Sequence, residues 1–191
     1  IGIAANTAPT LERVQVLDTV RSRYTSGAAV VQDANATPHY RDLRASGNTH
    51  DAVVIIGERI TGDVRWAFDA VGIPVQIIGS GNQLLIPTGA ALTLAPGSQI
   101  QMYTNTLLTV QGGLYLTGTV TAPITITGAT PTHEPGSWRA ISVAPTGYAL
   151  LDHVQISGGG AEGYGALEIA SSNMVIQNNH LHHNALALRV L

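Results

Sequence analysis

The chain has 191 residues, of which 45% are hydrophobic, 5% aromatic and 11% charged, with a net charge of −3. All nine basic residues are arginine and cysteine is absent, which excludes a disulfide framework, thiol chemistry and a polylysine anchor. The net negative charge argues against a nucleic-acid surface, and no apolar run reaches the ~18–20 residues of a membrane-spanning helix. Short apolar runs bounded by Gly, Pro, Asn, Asp, Ser and Thr predict strands, in chain order, over 11–16, 28–31, 40–45 and 52–56. They continue over 75–78, 84–86, 91–94, 99–102, 107–110, 114–116 and 124–127, then 140–143, 150–156, 166–169, 174–177 and 185–190. One short helix is predicted from Val64 to Val71, ended by Gly72 and Pro74.

An internal repeat organises these strands. The pattern apolar, two residues, apolar, one residue, apolar occurs as Leu11-Glu12-Arg13-Val14-Gln15-Val16, Tyr40-Arg41-Asp42-Leu43-Arg44-Ala45 and Leu151-Asp152-His153-Val154-Gln155-Ile156. It returns as Ile176-Gln177-Asn178-Asn179-His180-Leu181, with Asn in the middle place. Leu11 and Tyr40 are 29 residues apart, and Leu151 and Ile176 are 25 apart. Periods in the twenties with two or three strands each are those of a β-solenoid. A single coil is too small to bury its own apolar face, so successive coils stack, with equivalent strands about 4.8 Å apart in a parallel sheet. Crossovers between parallel strands are right-handed. The predicted fold is therefore an all-β, right-handed parallel β-helix with coils of roughly 20–29 residues, one continuous unit over 1–191. Val14, Val16, Leu43, Leu92, Leu94, Ile124, Ile126, Val154 and Ile156 are the predicted inward positions.

The middle of the chain carries coil motifs. Ile86-Pro87-Thr88-Gly89-Ala90-Ala91-Leu92-Thr93-Leu94-Ala95-Pro96-Gly97 is followed by Leu108-Thr109-Val110-Gln111-Gly112-Gly113-Leu114, Leu116-Thr117-Gly118-Thr119 and Pro123-Ile124-Thr125-Ile126-Thr127. Trp138-Arg139-Ala140-Ile141 and the 150–160 stretch come next. This order resembles the right-handed, pectate-lyase-like β-helix domains of bacterial secreted and cell-surface proteins. The resemblance covers nearly all of the chain beyond Val64 and, more weakly, 9–56. It implies the fold and an extracellular or cell-surface place. It does not imply a function, because one β-helix scaffold hosts lyases, hydrolases, adhesins and spacers.

Candidate chemistry is sparse. His180 and His182 fall on one strand face, with His183 beside them, and are the sharpest metal suggestion; solvent-facing imidazoles at a polar corner are the favoured reading. Glu12 and Arg13, Asp42 and Arg44, and Asp152 and His153 are the charged residues that a carbohydrate-active β-helix would need to converge. Thr117, Thr119, Thr121, Thr125 and Thr127 do not recur at fixed coil spacing, so they read as strand residues rather than an ice-binding array. Trp66 and Trp138 read as packing, Gly158–Gly160 as a corner loop, and Asn178-Asn179 as a corner ladder.

The expected function is a structural repeat of an extracellular or cell-surface fibre or adhesin. No catalytic, cofactor-binding or metal-binding residue is assigned, and no cofactor is expected. The chain opens and closes inside apolar runs without a recognisable cap, so it reads as a segment of something longer. Joining Leu191 to Ile1 continues the repeat with a step of 26 from Ile176 to Leu11, so the expected partners are identical repeats or subunits stacked end to end. The alternative is a carbohydrate-binding or polysaccharide-degrading domain whose partner is a surface polysaccharide.

Overall fold

The computed structural model describes residues 1–21, 27–130 and 134–191. Strands make up 47% of it, stacked as a parallel β-solenoid of about seven turns. The alternation of side chains along each strand explains why. In Ala91–Leu94, for example, Leu92 and Leu94 are buried while Ala91 and Thr93 face outward, the period-two signature of a strand with one dry face.

Three sheets wrap the core. The first contains Gly2–Ile3, Ala28–Asp33, His50–Ile56, Val75–Ile77, Gln99–Met102, Ile124–Gly128, Val154–Ile156 and His180–Leu181. The second contains Gln83–Ile86, Leu107–Val110, Ala140–Val143, Leu167–Ile169 and Leu188–Val190. The third contains Asp63–Trp66, Ala91–Leu94, Gly113–Thr117, Tyr148–Asp152 and Met174–Gln177. From Val75 onward the chain visits the first, second and third sheets in turn and then returns to the first. Register pairs Gly2–Val31, Val31–Val54, Val53–Val75, Gln76–Gln101, Gln99–Thr125, Ile124–Val154 and Gln155–His180 give coils of 22 to 30 residues. The repeat read from the sequence is the pairing observed: Leu11 lies opposite Tyr40, and Leu151 opposite Ile176.

The predicted strands 11–16, 40–45 and 150–156 are each broken in the middle. Arg13, Asp42 and His153 adopt φ of 52°, 50° and 53°, and Asn178 adopts 55° at the same place in the fourth copy. A single left-handed residue turns the chain sharply between two strands. Asn, Asp and His tolerate this conformation better than most L-residues.

Three expectations need correction. The predicted helix at 64–71 is absent: Asp63–Trp66 is a strand, with Val64 and Trp66 buried and Asp63 and Arg65 exposed. Its side chains alternate with period two because it pairs in register with Ala91–Leu94. The one helical element among the described residues is the 3-10 turn Ala161–Gly163. Val16 does not enter the main core. Gln15–Leu17 pairs with Arg44–Ser46 in a separate two-stranded sheet, which leaves Val16 half-buried. Third, the end 185–190 forms a strand only over Leu188–Val190.

Of the remaining predicted inward residues, Leu43, Leu92, Leu94, Ile124, Ile126, Val154 and Ile156 are buried, and Val14 packs partly buried against the same core. Trp138 is fully buried, and its indole N–H donates to the Ser157 carbonyl at 2.9 Å, locking one corner. Tyr40, stacked on Phe68, is likewise buried; its hydroxyl donates to Gln32 Oε1 at 2.9 Å, and burial pushes the phenol pKa well above its ordinary value.

Val154 is fully buried between Ile124 and the last coils. Val154→Asp places an unpaired carboxylate there, at a cost of about 3 kcal/mol or more. Thermal melting is expected to fall by several degrees, with amide exchange rising first in the coils on either side. An unchanged melting curve would show that the column is not the source of stability.

Candidate functional site

The charged residues nominated by the sequence do not converge. Arg13 pairs with its neighbour Glu12 at 2.7 Å, and Arg41 approaches Asp42 at 3.9 Å. Both pairs are solvated and local, and such pairs contribute little to stability. Thr125 and Thr127 face outward on the first sheet, but Thr125 stands between Gln99 and Gln155 rather than in a threonine column. Thr119 and Thr121 sit in a turn, where the Thr119 hydroxyl accepts from the Ala122 N–H at 3.0 Å.

Asp152 is the most engaged of these groups. Its Oδ1 accepts from Asn178 Nδ2 at 2.9 Å and its Oδ2 from Gln177 Nε2 at 3.0 Å, both from the next coil. His153 Nδ1 lies 2.8 Å from Asp152 Oδ1, an electrostatic contact rather than an aligned hydrogen bond. The amide donors of Asn178 and Gln177 hold the Asp152 carboxyl below the usual carboxylate range, with His153 adding to the effect. The Asn178-Asn179 corner joins two coils, but through Asp152 and backbone groups rather than through an asparagine ladder. Asn179 completes it by accepting from the Val154 N–H at 2.8 Å and donating to the Leu151 carbonyl at 2.9 Å.

The histidines form a cluster at the last corner of the first sheet. The rings of His180 and His182 stack with centroids 4.6 Å apart, and His182 meets His183 edge-on at 5.1 Å. The Nδ1 atoms of His182 and His183 are 2.8 Å apart. No group of three or more His, Asp or Glu side chains among the described residues is arranged to hold a metal ion.

Two features were missed from sequence. Glu168 is buried although it lies on the outward side of its strand; it accepts from Ser142 Oγ at 3.5 Å and from Arg189 Nη1 at 3.4 Å. Its outward phase in the 166–169 strand was legible, but the chain segment that covers it was not. Asn184 repeats the Asn179 arrangement, accepting from the Gly159 N–H at 2.8 Å and donating to the Ile156 carbonyl at 3.0 Å.

The most distinctive surface is the pair of solenoid ends. Nine of the twelve exposed large hydrophobic side chains of the described residues lie in the first or last coil. At one end Ile1, Ile3, Pro9, Leu11 and Val14 line an open apolar concavity. At the other, Val175, Ile176, Leu186, Leu188, Val190 and Leu191 are exposed, Val190 by 72% and Leu191 by 64%. Met174–Gln177, His180–Leu181 and Leu188–Val190 are edge strands of their sheets.

No family model matches the chain, and no curated protein or solved structure matches it. No helix among the described residues is long and apolar enough to cross a membrane.

Asn178→Gly keeps the left-handed corner and removes the amide donor to Asp152 Oδ1. The Asp152 pKa, followed by carboxyl NMR, is expected to rise toward its ordinary value of about 3.9. Because this pKa is depressed in the folded chain, its contribution is present above that value and is lost as pH falls through the folded pKa. The variant should therefore lose some of its stability advantage at neutral pH and differ less from the parent in strong acid. An unmoved Asp152 titration would show that the amides do not set it.

Proposed function

We propose that the chain is a structural segment of an extracellular or cell-surface fibre or adhesin, stacking end to end with copies of itself and carrying no catalysis. The observation that supports this reading is the segregation of exposed apolar side chains to the two ends of the solenoid. Strand edges with unpaired backbone groups, framed by apolar side chains, are templates for further strands. Stacking covers both at once and continues the core from one copy into the next. The coil motifs of the middle segment support a secreted or surface setting.

Sedimentation of the native protein across a concentration series tests it. Self-association is expected, and Ile176→Glu combined with Val190→Glu should abolish it, because unpaired carboxylates would be buried against the apolar first coil of the incoming copy. Thr93→Glu, on an outer face of the third sheet, should leave it intact. A native protein that stays monomeric at every concentration removes the reading.

A second reading, a carbohydrate-binding face, is favoured by one observation. Tyr115 and Tyr148 lie on the outer side of the third sheet with ring centroids 5.5 Å apart. A Cβ at Gly113 would be only 2.9 Å from Tyr115 Cε2, so the Tyr115 ring lies over the glycine, and the residue is 36% exposed. Flat aromatic faces stack on sugar rings. Calorimetric titration with neutral β-linked hexasaccharides separates the readings: binding lost in Tyr115→Ala supports the face, and no binding by the native protein eliminates it.

A further inference from the structure

The first sheet carries a cleft away from both ends of the solenoid. It forms where the connection from the third sheet to the first changes length. That connection runs over 67–74, eight residues, then over 95–98, four residues, and later over His153 alone. The long segment stands over the outer face of the sheet. Val71, Gly72 and Ile73 form a wall, and Gln99, Gln101, Thr125 and Thr127 a floor, around a cleft of about 560 Å³. Clefts that take small ligands span roughly 300–1,000 Å³. The wall is fixed on both sides. The Phe68 N–H donates to the Ser98 hydroxyl at 3.1 Å, and the Ala70 and Val71 carbonyls accept from the Asp42 and Leu43 N–H groups at 3.0 and 2.8 Å. Gly72 has a φ of 88°, and a Cβ there would be 2.7 Å from the Leu43 carbonyl oxygen, so glycine lets the wall lie this close.

Those carbonyls are taken by neighbouring coils, while the donors of the wall are not. No described residue accepts from the backbone N–H of Val71, Gly72 or Ile73. On the floor, Gln76 Nε2 donates to Gln101 Oε1 at 3.1 Å, which leaves Gln101 Nε2 without an acceptor among the described residues. Register places Gln76, Gln101 and Thr127 in one outward row, with Gln99 and Thr125 in the row beside it. Each step along a row is one coil, about 4.8 Å. Asp69, which is exposed, is the one charged side chain among the described residues that line the cleft.

We propose that this cleft binds a neutral glycan, its chain laid along the solenoid axis. A sugar hydroxyl both donates and accepts, and so do the amide and hydroxyl side chains of the floor. The wall adds backbone donors held in place by the coils on either side. An extended pyranose chain repeats at close to the coil spacing, so successive sugars meet successive coils. An acidic polymer is selected against, because Asp69 would repel its carboxylates and no arginine lines the cleft to offset them. Each bond to the sugar replaces one to water, so the affinity is modest. The cleft lies on a different sheet from Tyr115 and Tyr148, and the proposal stands independently of that face and of end-to-end stacking.

Calorimetric titration with neutral β-linked hexasaccharides of glucose, mannose and xylose, and with the acidic hexagalacturonate, each at millimolar concentration, tests the cleft. Amide NMR of the native protein locates the ligand. The expected result is binding of at least one neutral probe, with shifts confined to 69–73, 99–101 and 125–127. Thr125→Val combined with Thr127→Val removes both hydroxyls and keeps two good strand residues. Its affinity should fall about tenfold, with the melting curve of the native protein. If it melts lower, the shift map of the native protein decides. Tyr115→Ala should bind as the native protein does. Shifts at Tyr115 and Tyr148 instead, or undiminished affinity in the double variant, overturn the cleft. Tighter binding of hexagalacturonate overturns the preference for a neutral chain. No binding of any neutral probe by the native protein overturns the proposal outright.

Discussion

Parallel hydrogen bonding between coils is the constraint on which everything else rests. A strand of three to five residues has almost no stability alone, and its backbone groups on each edge are satisfied only by the coil before and the coil after. The register observed from Gly2–Val31 through Gln155–His180 is continuous, so each internal coil has both neighbours. The terminal coils have one each. Their exposed aliphatic side chains and open edges are the direct consequence of a fold that is translationally repetitive and has no intrinsic stopping point.

The same repetition decides where polar groups go. Inside, layers of Val, Leu and Ile stack without charge. The turns are left to residues that accept a left-handed backbone, and Arg13, Asp42, His153 and Asn178 occupy one equivalent position in four coils. Side chains beside those corners reach across to the neighbouring coil. Asn179 and Asn184 each bridge a carbonyl and an N–H that the sharp turn leaves splayed. Polar chemistry in this chain therefore serves mainly to join one coil to the next.

Function is harder to read than fold for the same reason. A solenoid presents long faces on which any residue can be displayed, and the outward residues here are dispersed Gln, Thr, Tyr and Arg rather than a convergent set.

Much of the architecture was legible in the residues. The repeated pattern at Leu11, Tyr40, Leu151 and Ile176 predicts their pairing, because inward positions must superpose when coils stack. Period-two alternation predicts strands such as 91–94, 107–110 and 140–143 at their observed limits. Other features depended on long-range contacts. Asp63–Trp66 looked helical until Ala91–Leu94 lay beside it. Val16 shared the apolar pattern of Ile156, yet its strand left the main column. The burial of Glu168 and the contact between His182 and His183 arise from the path of corner loops, which local pattern does not encode. The sequence alone determined the period, the strands and the inward-facing residues, because these follow from local alternation repeated down the chain. Only the tertiary structure decided which corners turn, which polar groups are covered and which edges remain open, because those depend on residues one coil away.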